Sequence, residues 1–461
     1  MTGITYDVWR LCGIVFILLL PYVVWKRRLW FPGLAVMGLG VFGSVKFWPA
    51  MGGSIRVWDL LIVAGTFIIL SMLLEGKRSG KSRSLAFDSM GKPHKLLMFL
   101  LMLLLFRIFL EYVYSGEYYF HRVIRDFIIS TIMPCIIILI HPPREDAFQE
   151  ILKGIGIGAF LTLLPAFTDV ELFRYVWSEL SGGYMIGFYQ TAYRGKAWAE
   201  MAVHLVIVLL CLGIFNSARR KYYFAGAIFL SIISVVPLSR RWFVSLICFM
   251  VLFSFWWLKG KGQAYKGSFR GSHLVIGILM VCFIGGFSFF VSSKFERQNI
   301  HTMLAEFGPT YLVRAQISRI DLWKYTLDEW LEKPVLGQGY LGYGWVLYEK
   351  EAGAGAVFSR HIGAHNLLVD ILVKNGIIGL LLGLIYLQRL VAYLRRWLEL
   401  AKDNLEFYEE LSMLSIYWIS LFPAAIFGGC NLHNLGLIAI LPCAIRLVVV
   451  SRAGSVKSSI E

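Results

Sequence analysis

The sequence predicts an all-α polytopic membrane protein with about 12–13 transmembrane helices and one large extracytoplasmic loop. Three observations carry that prediction. Of 461 residues, 58% are hydrophobic and 16% charged, with a mean hydropathy of +0.66, whereas a soluble domain carries about 25% charged residues. Apolar runs of roughly 20 residues, the length that crosses a bilayer, recur along the chain. Between alternate runs lie short loops rich in Lys and Arg, the pattern of cytoplasmic membrane loops.

The runs fall at 5–25, 29–48, 57–74, 95–114, 123–140, 151–168, 197–216, 222–238, 241–258, 273–292, 365–388, 411–429 and 433–450. The first is followed by Lys26-Arg27-Arg28 and a second run with no small-residue cleavage site between them, so it reads as a retained helix. Basic loops at 26–28, 75–95, 141–150, 217–221, 259–272 and 389–410 alternate along the chain, and placing them all inside gives a self-consistent map. The N-terminus, 169–196 and 293–364 then lie outside. Three regions follow: an N-terminal transmembrane bundle (1–292), an extracytoplasmic loop (293–364) and C-terminal transmembrane helices (365–461).

The net charge of +16 resides in those loops, where it attracts anionic head groups; no nucleic-acid partner is expected. The seven cysteines lie mostly in or beside apolar runs without CxxC spacing and read as small core residues. In the outer segment, Ser318–Pro334 reads as an amphipathic helix. Ile320, Trp323, Leu327, Trp330 and Leu331 form its apolar stripe, and two tryptophans there suit the membrane interface. Gly337-Gln338-Gly339-Tyr340 reads as loop.

His361–Gly383 is where this segment meets an apolar run. On a continuous helix, His365, Gly376, Gly379 and Gly383 fall within roughly 40° of one another. The three glycines read as a helix-packing stripe that admits a close neighbour, with His365 and Asn366 at its mouth. An ordinary packing seam ending in a chance histidine has the same pattern.

Cations on the outer side run against the positive-inside bias. Arg240 and Arg241 stand at an outward junction, and Arg319 lies one turn before Trp323, on the apolar stripe. An arginine so placed needs an anionic partner or a route to the interface, and its planar fork grips phosphate oxygens bidentately. His365 is suited to take a proton from an attacking hydroxyl. Helix anchoring, snorkelling and a structural histidine are the plain alternatives. Arg107 with Glu111, and Asp370 with Lys374, are i,i+4 pairs inside runs, where such charges neutralise one another. Glu200 and His204 lack a third ligand, so no metal site is expected. Walker, dinucleotide, HExxH and GxSxG patterns are absent from the sequence, so soluble-enzyme chemistry has no foothold. Arginines and a histidine on the outer face suit a phosphate-bearing lipid substrate whose other part is transferred to a hydroxyl.

Three stretches resemble the O-antigen ligase and polymerase family. His365-Asn366, nine residues, then Gly376-Ile377-Ile378-Gly379-Leu380 is similar to its His-Asn pattern. Ser318-Arg319 with Trp323 and Pro334-Val335-Leu336-Gly337-Gln338-Gly339-Tyr340 resembles its outer-loop pattern, and Ser239-Arg240 its Ser-Arg step. The resemblance covers roughly 235–390. It implies a C-type glycosyltransferase-like bundle in the bacterial cytoplasmic membrane, with its active site facing the periplasm. The implied donor is a glycan on undecaprenyl pyrophosphate, with no metal or nucleotide cofactor, and the acceptor a lipid or glycan hydroxyl such as lipid A–core. By resemblance Arg240 and Arg319 hold the departing pyrophosphate, where preplaced cations lower the barrier, and His365 positions or deprotonates the acceptor. Arg241, Asn366, Arg314 and His361 stand beside them as candidate substrate-binding residues. Arg241 replaces the small residue that often follows Ser-Arg in the family, so either arginine remains a candidate. About thirteen helices exceeds the family's usual twelve, which an extra N-terminal helix accounts for. A polymerase shares this layout. A flippase of lipid-linked sugars belongs to another class; it predicts midplane charges, broken helices and internal repeats, and no repeat is visible.

Overall fold

The computed structural model describes residues 3–42, 46–50, 53–78, 91–115, 118–169, 188–235, 240–258, 319–339, 366–428 and 432–457. In chain order they form α1 (Gly3–Lys26), α2 (Phe31–Phe42), β1 (Lys46–Ala50), β2 (Gly53–Arg56), α3 (Val57–Arg78), α4 (Lys92–Ser115), α5 (Tyr118–Phe127) and α6 (Met133–Ile140). Then come α7 (Ala147–Leu163), α8 (Phe188–Phe215), α9 (Arg220–Val235), α10 (Arg240–Leu258), α11 (Arg319–Glu332), α12 (Leu367–Leu400), α13 (Leu405–Gly428) and α14 (Leu432–Lys457).

This is an all-α polytopic membrane bundle. Among the described residues, 8 helices are long and apolar enough to cross a membrane: Asp7–Lys26, Val57–Gly76, Lys92–Tyr114, Val123–Ile140, Ala147–Thr168, Trp198–Phe215, Leu367–Leu400 and Leu435–Arg452. The other expected runs fare differently. Those at 222–238 and 241–258 are helices of 16 and 19 residues, 411–429 lies in α13, and 273–292 lies outside the described residues.

The run 29–48 is a correction. Its helix has 12 residues and rises only about 18 Å, short of the roughly 30 Å hydrocarbon core. Lys46–Ala50 then pairs antiparallel with Gly53–Arg56, Lys46 opposite Arg56 and Ala50 opposite Gly53. Phe47 and Trp48 favour a strand, and Pro49 cannot continue a helix.

The span 123–140 is helical throughout but passes through a π turn at Ile128–Ile132. Pro134 has no N–H to give the carbonyl of Ser130. That carbonyl faces α14, where a Cβ on Gly436 would come within 2.5 Å of it. Only glycine allows α14 to pack at this depth.

The buried core is centred on α8, in which 89% of Trp198–Phe215 is enclosed, against 22% for Lys92–Tyr114. Phe99, Met102, Phe106 and Phe109 of α4 are exposed instead, as suits a helix facing lipid. Ion pairs gather one end of the bundle. Arg27 and Lys153 meet the buried carboxylate of Glu150 at 3.1 and 2.9 Å, Arg28 meets Glu75 at 2.7 Å, and Arg452 meets Glu406 and Glu410 at 2.8 and 3.1 Å. These are ends that the alternating basic loops assign to one side.

Candidate functional site: a helix break strapped by a loop

α11 opens at Arg319. Pro334 stops it. Trp323 and Trp330 pack with Val369 and Val373 of α12, and the indole of Trp330 donates to the Pro334 carbonyl at 2.9 Å. The expected interfacial stripe is therefore divided. Its tryptophans lie against α12, while Leu327 and Leu331 remain exposed.

α12 is not one rod. Gly376 has φ 65° and ψ −171°, a region essentially confined to glycine. The helix stops at Asn375 and restarts at Ile377. Such a break exposes carbonyls on one side and amides on the other, and inside an apolar span water is not there to satisfy them. The loop Pro334–Gly339 does so instead. Gln338 and Gly339 donate their N–H groups to the carbonyls of Val373 and Lys374 at 2.7 and 3.2 Å. Ile377 and Ile378 donate to the carbonyls of Pro334 and Val335 at 2.9 and 3.4 Å. Gly337 and Gly339 also have positive φ, 74° and 86°. A Cβ on Gly337 would fall 2.5 Å from both Gly376 N and the Val373 carbonyl.

The loop is held from behind by α4. Arg107 donates from Nη1 to the Leu336 carbonyl, from Nη2 to the Gly337 carbonyl at 3.4 Å, and from Nε to Glu111 at 3.4 Å. The expected Arg107–Glu111 pair is present, but its arginine also serves the loop.

At the other end of the first half-helix, Asn366 is the N-cap. Its Oδ1 accepts from Leu368 N at 2.9 Å and Val369 N at 3.3 Å, and the residue is buried. Asn366, a candidate substrate-binding residue, thus uses its Oδ1 to start the helix. Both α11 and the half-helix Leu367–Asn375 end at the same junction and pack through Trp323, Trp330, Val369 and Val373. Trp323 and Trp330 of α11 thus pack against the half-helix near its C-terminal end, where the loop that follows α11 is bonded to it.

The glycine stripe needs correction. The break at Gly376 interrupts the continuous helix on which the stripe depended. Gly376 does receive a close neighbour, but it is the loop backbone of Val335–Gly337. Among the described residues, a Cβ on Gly379 would meet Asn375 of its own helix, and one on Gly383 would meet nothing within 4 Å. Arg240 and Arg241 are the first two residues of α10, and Arg319 the first of α11. His365, His361 and Arg314 lie outside the described residues. Sequence reasoning passed over the roles of Arg107, Gly337 and Gly339. The signal was there in Pro-x-x-Gly-x-Gly, the pattern of a loop that must approach other backbone closely.

His204 and Glu200 are buried in α8, with Nδ1 of His204 3.0 Å from the Tyr417 hydroxyl. Among the described residues no group of three or more His, Cys, Asp or Glu gathers into a metal-binding cluster.

Residues 205–384 match a family model described as O-antigen ligase. The match runs from α8 through α10, α11 and the strapped break to just beyond Gly383, and takes in each of the three resembling stretches. None of the curated proteins compared with the chain matches it.

Proposed function

We propose, for a chain whose residues 205–384 match the O-antigen ligase family model, a metal-independent glycosyltransferase working on the outer face of the bacterial cytoplasmic membrane. The donor is a glycan on undecaprenyl pyrophosphate, and the acceptor a hydroxyl, lipid A–core in the first instance. The bundle 1–292 and the helices of 365–461 frame the site, and the segment 293–364 covers it from the periplasm. No cofactor enters the reaction.

The bond from the anomeric carbon to the pyrophosphate oxygen breaks as the acceptor oxygen attacks from the opposite face, inverting the centre. The acceptor proton passes to the imidazole of His365, and the bonding pair leaves with undecaprenyl pyrophosphate. Arg319 and Arg240, with Arg241 adjacent, hold that leaving group, because fixed cations act where negative charge develops. Arg314 and His361 contact the sugar or acceptor, and Asn366 caps the helix that follows His365.

One observation supports this arrangement most directly: the loop after the helix of Arg319 is hydrogen-bonded to the helix that follows His365, Gln338 and Gly339 donating to Val373 and Lys374. It ties together the two elements that carry a donor cation and an acceptor base.

A polymerase is the second reading. It uses the same donor and differs only in the acceptor, the end of another lipid-linked chain. The transporter reading gains one feature it predicts, a broken helix. Its break, however, has both flanks bonded to Pro334–Gly339, whereas a transport site offers such groups to its substrate.

The test is reconstitution of the purified protein with a short undecaprenyl-pyrophosphate glycan and a mixture of acceptors, read by mass spectrometry. Glycan on lipid A–core, with undecaprenyl pyrophosphate released and none formed by His365→Ala, is the expected result. Lengthened lipid-linked chains indicate the polymerase. A donor that crosses the bilayer uncleaved overturns both.

A further inference from the structure

We propose that Arg107, oriented by Glu111, is a positioning residue of the site: it latches the loop Pro334–Gly339 into the break of α12 and so fixes the helix start that follows His365. The catalytic consequence rests on the function proposed above; the latch itself does not.

The argument is one of mutual need. Arg107 lies inside the apolar span Lys92–Tyr114, where a guanidinium requires partners within the protein. Leu336 and Gly337 belong to a non-helical segment seated on the apolar span of α12, where backbone carbonyls likewise require donors from the protein. The planar fork of arginine meets both carbonyls at once, and its Nε turns to Glu111. A lysine offers one point charge in place of that fork.

Glu111 adds a second constraint. A Cβ on Gly339 would come 2.5 Å from its Oε1, so the carboxylate stands directly against the loop that Arg107 holds. From this seat the bonds run on without interruption. Gln338 and Gly339 reach Val373 and Lys374, and Pro334 and Val335 reach Ile377 and Ile378. The half-helix Leu367–Asn375 is thus held at its C-terminal end by a loop that α4 holds in turn. Both α4 residues lie outside the matched segment 205–384, so the N-terminal bundle contributes to the site.

The experiment uses the full chain in lipid nanodiscs as wild type, Arg107→Leu, Arg107→Lys and Glu111→Gln. Amide hydrogen exchange is followed at 334–339 and 373–378, together with donor kcat and KM. In Arg107→Leu, exchange at both segments rises about tenfold or more, as for loss of a hydrogen bond, while α7 and α8 stay at wild-type protection. Its kcat falls about 100-fold, the scale of an ångström's misplacement, with donor KM changed less than about threefold. Arg107→Lys and Glu111→Gln fall between, and they carry the same comparison if Arg107→Leu fails to accumulate.

Unchanged exchange at both segments overturns the latch. Loosened segments with wild-type kcat overturn the positioning role, and a raised donor KM at constant kcat makes Arg107 a donor ligand instead. A wild type that transfers no glycan sinks the proposed function, and the exchange data then decide the latch independently.

Discussion

The backbone N–H of Gln338 donates to the carbonyl of Val373 at 2.7 Å, joining a loop to a helix end 35 residues further along the chain. Val373 has no helical partner for that carbonyl because the helix stops two residues later. The loop therefore acts as a replacement turn, and α12 keeps its hydrogen bonding across a break that only glycine permits.

Gly376→Ala should be poorly tolerated. A side chain at φ 65° costs roughly 1–3 kcal/mol, and its Cβ would also strike the backbone of Val335 and Gly337. A lower melting temperature in detergent is expected. Gly383→Ala, with open space around its Cβ, should stay within about 0.5 kcal/mol of wild type. Equal losses at both positions would restore the continuous packing stripe.

Asn366 separates capping from substrate contact. Asn366→Ala should cost about 1 kcal/mol by losing the cap, with a matching fall in thermal stability. Asn366→Ser, which keeps a capping oxygen, should retain most glycan transfer. If Asn366→Ser were as inactive as Asn366→Ala while equally stable to wild type, the side chain would be a substrate ligand.

His365→Ala should abolish transfer with membrane abundance unchanged, because a group that only moves a proton contributes little to packing. Arg319→Lys should lower transfer while leaving abundance intact, since a point charge loses the bidentate grip on phosphate. Full activity in the lysine variant removes Arg319 from the site, and falling abundance in His365→Ala supports a packing role.

Glu410, just before the run 411–429, is pushed up from 4.5 to about 7 by burial, with Arg452 opposing the shift. A carboxyl raised in the folded state is favoured there in its protonated form. Stability is therefore expected to fall as pH rises from about 4.5 to about 7 and to level off above that. Thermal unfolding across this range checks it, and Glu410→Gln should flatten the slope. An unchanged slope in that variant would assign the pH dependence to other groups.

The long apolar helices, the gathering of basic ends and the Arg107–Glu111 pair were legible because each depends on local spacing. A run of apolar residues specifies a span wherever it sits, and charges four residues apart on a helix must meet. The short α2 was less so. Hydropathy counts Phe47 and Trp48 with the preceding helix, but Pro49 cannot continue one and the segment pairs with Gly53–Arg56 instead.

What the sequence by itself determined is the all-α membrane class, the family match of its 205–384 segment and the residue types suited to glycan transfer. Only the tertiary structure decided what the glycines of that motif do. Helical periodicity put Gly376, Gly379 and Gly383 on one stripe because it assumes an unbroken helix. Whether a helix breaks depends on what can replace its lost hydrogen bonds, and here the replacements come from Pro334–Gly339, held in place by Arg107 more than 200 residues earlier. Such partners are remote in sequence, so no local pattern around Gly376 encodes them.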